Sequence, residues 1–183
     1  MKVAITGHAN GIGQGLYKYF QERGDSVQGF DQANGFRLPD AESRILVQIQ
    51  DCDIFVNNAL PISSQISLLT KLWPKWKDTD KKIIVLGSIA SQIDCVTPEV
   101  EEYQQQKKEL DRVCKSLQYS TWPNLFSQCS LMVIHPGIVA TNLINDLGIT
   151  AEIEMCMSVA QVVNVVDYML NSPLKFDSVV FRK

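Results

Sequence analysis

Short apolar runs alternate with longer amphipathic stretches along the whole chain. KVAI (2–5), SVQGF (26–30), DIFV (53–56), KIIVL (82–86), SLMVI (130–134) and SVVF (178–181) have the length and β-branched content of strands. Several are unbroken by polar residues, as parallel strands covered on both faces should be. Between them, Ile12, Leu16, Tyr19 and Phe20 share one face of a helix that stops at Arg23-Gly24. Residues 99–119 and 157–170 repeat that spacing. Strand and helix in alternation predict an α/β fold, a doubly wound parallel sheet of six to seven strands with helices on both faces and right-handed crossovers. With no internal repeat, linker or low-complexity tract, residues 1–183 read as one domain.

The first strand runs directly into TGHANGIG (6–13), where Gly7, Gly11 and Gly13 precede the first helix. Glycine is used where φ must be positive or where another group approaches the backbone closely. Two readings fit. The loop is a tight strand-to-helix turn, or its N–H groups and the helix dipole cradle a pyrophosphate. Asp31, closing SVQGFD about twenty residues on, also has two readings: acceptor for the ribose hydroxyls of a dinucleotide, or first residue of the turn DQANG.

Composition narrows the classes. The formal charge is −3 and charged residues make up 20%, which argues against a nucleic-acid partner. The run Lys71 to Lys82 is interleaved with aspartate and reads as a solvated helix end and loop. No apolar stretch approaches the roughly 18 residues that a spanning helix needs, and no secretory leader is visible. Cys52, Cys95, Cys114, Cys129 and Cys156 are widely spaced with no CxxC pair, so we expect free thiols, no metal site and a cytoplasmic location.

Further motifs follow in order. Asn57-Asn58-Ala59 ends DIFV, Ser88 follows KIIVL, Tyr103 and Lys107 form YQQQK, and His135-Pro136-Gly137-Ile138-Val139-Ala140-Thr141 closes SLMVI. Together with TGHANGIG, these residues resemble the short-chain dehydrogenase/reductase family from end to end. The resemblance implies a Rossmann-type sheet, NAD or NADP as cofactor and a small carbonyl or alcohol as substrate. It assigns catalysis to Ser88, Tyr103 and Lys107. It assigns cofactor contacts to Gly7, Asn10, Gly11, Ile12, Gly13, Asp31, Asn57, Asn58, Ala59, Tyr103, Lys107, Pro136, Gly137, Ile138 and Thr141, with Asp31 favouring NAD. His135 is expected to be structural.

The chemistry is consistent with that assignment. A spacing of four puts Tyr103 and Lys107 on one helix face, where an ammonium would draw the phenol's pKa down from about 10. An exposed polar helix face is the other reading of YQQQK taken alone. The resemblance also implies pairing of helices 62–76 and 99–119 in a homodimer or homotetramer.

The chain departs from the family in several places. The helix after the second strand is trimmed, and the third strand is expected at GFRL (35–38), placing Arg37 or Leu38 beside adenine. The 31 positions from Asn57 to Ser88 hold no relay asparagine in PISSQISLLTKLW, where Gln65 is the candidate substitute. Leu60-Pro61 follows Asn57-Asn58-Ala59 in place of the customary glycine. Residues 142–157, rich in Leu, Ile and Met, are expected to cover the substrate, as an apolar wall or as packing against the core. A cofactor-binding scaffold without turnover is the alternative function. An epimerase or dehydratase needs a larger C-terminal region.

Overall fold

The computed structural model describes residues 1–94, 97–120, 128–149 and 152–183. Six strands, β1 (Lys2–Thr6), β2 (Ser26–Phe30), β3 (Ile54–Asn57), β4 (Lys82–Leu86), β5 (Ser130–Pro136) and β6 (Ser178–Phe181), form one parallel sheet in the order β2-β1-β3-β4-β5-β6. The helices are α1 (Gly11–Glu22), α2 (Glu42–Gln48), α3 (Ile62–Trp76), α4 (Pro98–Gln118), α5 (Asn142–Asp146) and α6 (Val159–Asn171). This is the expected doubly wound sheet.

Strand alternation sends neighbouring side chains to two separate cores. Ala4, Phe55, Ile83, Val85, Leu131 and Val133 pack against α2, α3 and α4, with Ile45, Leu69, Trp73 and Leu110. Val3, Ile5, Val56, Ile84, Met132 and Ile134 pack against α1 and α6, with Leu16, Phe20, Val162 and Val166. Burial on both faces is why these strands read as continuous apolar runs.

The third strand expected at GFRL does not form. Among the described residues no strand lies between Phe30 and Ile54, and β2 is the sheet edge. Gly35 has φ of +85°, Pro39 lacks an N–H to donate, and Phe36 N and Ala41 N bond to Asp31 and Arg37 carbonyls within the same turn. Phe36 and Leu38 fold back on the core while Arg37 is exposed. The trimmed helix is replaced by the single 3₁₀ turn Gln32–Asn34.

The lysine-rich run is used locally. Lys71 pairs with Glu42, and Lys81 donates to the carbonyls of Gln50 and Cys52 while lying over the Trp76 ring. Cys52, Cys114 and Cys156 are buried free thiols, Cys129 is buried, and Cys95 lies outside the described residues. No described helix is long and apolar enough to cross a membrane.

Consecutive crossovers run in opposite directions, from β1 out to β2 on one side and from β2 back past β1 to β3 on the other. The loops beyond the carboxyl ends of these strands therefore diverge and leave a crevice, the usual ligand position in such a sheet.

Candidate active site

The glycine loop forms one end of that crevice. Gly7 and Gly11 have φ of +69° and +53°, conformations that side-chain-bearing residues rarely adopt. At Gly13 a Cβ would lie 2.0 Å from the Gly7 carbonyl oxygen, so this glycine serves the packing of α1 against its own loop. Thr6 Oγ1 accepts from Asn58 N and Ala59 N, and Asn58 Nδ2 donates to the Thr6 and Gly7 carbonyls. Asn58 and Ala59 thus brace the loop, with Ala59 against Gly7. Asn10 caps α1 without a side-chain hydrogen bond to any described residue, leaving first-turn N–H groups available to an anion. Asn10, Gly11, Lys18 and Thr141 line a polar depression of about 450 Å³ there.

A larger cleft of about 610 Å³ runs from Ile12 and Asn58 to Ser88, Tyr103 and Lys107, past Pro136, Gly137, Ile138 and Thr141. Its far wall is apolar, with Leu143, Ile144, Leu147 and Ile149 from the segment expected to cover it. Residues 150 and 151 of that segment lie outside the described residues, while Met157 turns into the core below α6. Different residues of the segment thus line the cleft and pack into the core. Leu60, Ile89, Ile93, Thr97 and Val100 complete the wall. No motif marked them, because a lining residue is defined by the cleft and not by its neighbours in sequence.

Ser88 caps the 3₁₀ turn Ile89–Gln92, its Oγ accepting from Ala90 N at 3.2 Å. Ser88 and the largely buried Tyr103 phenol lie side by side on the cleft wall. Burial raises the phenol's pKa above its ordinary value, and the neighbouring Ser88 side chain offsets part of that rise. The expected lowering by Lys107 is not found. Its Nζ lies 5.8 Å from the Tyr103 ring centroid and is bonded elsewhere, to the Leu86 carbonyl at 2.5 Å and Gln65 Oε1 at 3.2 Å. Lys107 is only 4% exposed, and burial brings its pKa down to about 8, against the opposing pull of Asp111. The exposed-face reading of YQQQK is thereby excluded for Lys107, although Glu101, Glu102, Gln105 and Gln106 do form such a face.

Two cofactor assignments meet different surroundings. Asn57 is fully buried, away from the cleft wall, and its amide exchanges hydrogen bonds with Gln65: Asn57 Nδ2 donates to the Gln65 carbonyl and Gln65 Nε2 to the Asn57 carbonyl. Strand alternation turns it toward α3 while Asn58 faces the crevice. Asp31 starts the turn: Oδ1 accepts from Ala33 N at 3.0 Å while its own N–H donates to Asn34 Oδ1. His135 is buried at the end of β5, its Nδ1 3.4 Å from the Ser88 carbonyl oxygen, in the structural role expected of it.

No protein-family model and no curated protein matches this sequence. Solved structures do. A short-chain dehydrogenase from Burkholderia cenocepacia J2315, in complex with NADP, superposes with a TM-score of 0.79 at 16% identity, covering 100% of this chain and 88% of that one. The 3-α-hydroxysteroid dehydrogenase from Pseudomonas sp. B-0831, complexed with NADH, gives 0.67 at 19% identity over 99% and 94%. A 3-ketoacyl-(acyl-carrier-protein) reductase from Brucella melitensis, complexed with NADH, gives 0.73 at 18% over 99% and 96%. Over its whole length this chain has the fold of the short-chain dehydrogenases.

Proposed function

We propose that the chain is a short-chain dehydrogenase/reductase, an NAD(P)-dependent oxidoreductase that interconverts a carbonyl and an alcohol. The observation that carries this is the placement of Ser88, Tyr103 and the buried Lys107 together in a cleft that runs to the glycine loop. The dehydrogenases of the same fold that bind NADP or NADH add support.

The residues present fit a dinucleotide. The first turn of α1 leaves its N–H groups for the diphosphate, with Gly11, Ile12 and Thr141 beside it. Pro136, Gly137 and Ile138 would flank the nicotinamide. A bound nicotinamide supplies the hydride acceptor or donor. Ser88 orients the substrate oxygen. Tyr103, a phenol that burial keeps protonated at neutral pH, donates its proton to that oxygen in the reduction direction and recovers one in the reverse. Lys107 holds the nicotinamide ribose hydroxyls. Titration with NADH and NADPH, followed by reduced-nicotinamide fluorescence, tests the reading. Saturable binding of one of them supports it, and binding of neither overturns it.

A cofactor-binding scaffold without turnover is favoured by one observation, the engagement of the Lys107 ammonium with Leu86 and Gln65 in place of the phenol. Turnover of aldehydes and ketones that disappears in Tyr103→Phe decides against it. Pairing of α3 and α4 in a homodimer or tetramer completes the proposal. A monomer in sedimentation at micromolar concentration overturns that part.

A further inference from the structure

The proposed mechanism leaves unused a buried carboxylate one helical turn beyond Lys107. Tyr103, Lys107 and Asp111 recur every fourth residue and share one face of α4. Asp111 is 6% exposed. Its Oδ2 accepts from Ser91 Oγ at 2.7 Å and from Gln92 Nε2 at 2.5 Å, both on the turn that Ser88 caps. Its Oδ1 is buried without a hydrogen-bond partner among the described residues and faces His135 Nδ1 at 3.7 Å. That same Nδ1 lies 3.4 Å from both Ser91 Oγ and the Ser88 carbonyl oxygen.

A carboxylate is excluded from a protein interior unless donors and a counter-charge meet it. Here two side-chain donors come from the Ser88 turn, and the cation one helical turn away on the same face of α4 is Lys107. The groups that face Lys107 come from four elements. α4 brings Tyr103, Asp111 and Cys114, with Lys115 further along; α3 brings the neutral Gln65; β4 brings the Leu86 carbonyl; β5 brings His135. Burial opposes the ammonium, and Asp111 is first among the groups that favour it. His135 does not replace it as cation partner, since burial lowers its pKa and keeps it neutral at pH 7.

We propose that Asp111 is a positioning residue for the Ser88–Tyr103–Lys107 site, fastening the Ser88 turn to α4 and holding Lys107 as a cation. Its catalytic meaning rests on the oxidoreductase reading; its effect on Lys107 does not. The carboxylate joins the two halves of the site, since Ser88 belongs to the loop after β4 while Tyr103 and Lys107 belong to the helix.

The test is an NMR titration of the full chain carrying ¹³C,¹⁵N-labelled lysine, with the Lys107 signal assigned by its loss in Lys107→Met. In Asp111→Asn, which keeps the size and removes the charge, the Lys107 midpoint falls by about one pH unit or more. Asp111→Glu returns it toward the wild-type value. With any carbonyl that the wild type reduces, the alkaline limb of the turnover–pH profile moves by the same amount. A purely structural Asp111 lowers thermal stability and leaves the Lys107 midpoint where it was, which overturns the proposal. If Asp111→Asn does not fold, Asp111→Ser decides the matter: this smaller neutral side chain also lowers the Lys107 midpoint, and an unmoved midpoint again overturns the proposal. Failure to bind NADH or NADPH refutes the oxidoreductase reading and leaves the titration result standing.

Discussion

The two ends of the cleft are built differently. At the Tyr103 end, Lys107, Gln65, Asn57, Asp111 and His135 are buried, and most of their polar atoms have protein partners. At the Asp31 end, β2 is an exposed sheet edge, its continuation is a 3₁₀ turn, and the residues from Gln32 to Gly35 are exposed. On the proposed reading this end would handle a proton and must hold its groups within a narrow geometry, which burial with hydrogen bonding favours. The end that on this reading would hold an adenosine has only to add affinity. A diphosphate can be held by backbone N–H groups of α1, which trimming a neighbouring strand does not disturb. Substitutions should therefore act strongly at the first end and weakly at the second.

The largest effect is expected at Tyr103. Tyr103→Phe removes the exchangeable proton and little volume, and turnover should fall about a hundredfold or more. NADH or NADPH fluorescence titrations should be nearly unchanged. Loss of cofactor binding with turnover would place Tyr103 in binding and blur the distinction between the ends. Next comes the hinge between them. Gly13→Ala pushes a methyl to 2.0 Å from the Gly7 carbonyl oxygen and 2.7 Å from Asn58 Nδ2. Because backbone must move, the cost should be about 3 kcal/mol in urea unfolding. A cost below about 1 kcal/mol would mean that the loop has slack and is not a fixed cradle.

The third effect is the pH dependence of the buried end. Lys107 titrates at about 8 in the folded chain and at 10.5 when unperturbed. Between those values the unfolded state binds more protons than the folded state, so this residue makes stability rise with pH. The rise should be about 2 kcal/mol from pH 8 to pH 10. Cys114 and Cys129, which burial pushes up to about 12 from 9.0, act in the opposite sense above pH 9. The comparison is therefore with Lys107→Met, in urea midpoints at pH 8 and pH 10. Wild type should gain on the variant across that interval. No gain would mean that the ammonium is better compensated than its burial implies.

How much of this was legible in the residues follows the same division. SVQGF, KIIVL and SVVF correspond to β2, β4 and β6 at both ends. Burial on two faces explains the unbroken apolar run of the central β4, while the edge strands β2 and β6 are exposed at alternate positions. Tyr103 and Lys107 were legible through their spacing on one helix. Lys107's actual partners were not, since Leu86 and Gln65 reach it from other elements and no local pattern records tertiary contact. GFRL misled as a strand because three side chains suited to a sheet lie between Gly35 and Pro39, whose backbones do not suit one. Asp111 continues the spacing of Tyr103 and Lys107, a signal that was present but meant nothing without Ser91 and His135 opposite it.

The smallest effect belongs to Asp31, whose carboxylate has two claims on it. As cap of Gln32–Asn34 it holds Ala33 N, and Asp31→Ala should cost about 1 kcal/mol of stability through that lost bond. As a negative charge near the proposed adenosine ribose it should favour NADH over NADPH. Because one oxygen is already occupied by the turn, we expect the ratio of the two affinities to change by about tenfold or less in Asp31→Ala, in favour of NADPH. Asp31→Asn separates the claims: it keeps an oxygen for Ala33 N and removes the charge, so stability should recover while the cofactor ratio stays shifted. If instead the ratio changes by several hundredfold, the Asp31 end selects its ligand as stringently as the Tyr103 end, and the division between a rigid chemical end and a permissive binding end fails. If the ratio does not move at all, Asp31 is a turn residue, and cofactor choice belongs to other groups, with exposed Arg37 and His8 beside Gly29 the next to substitute.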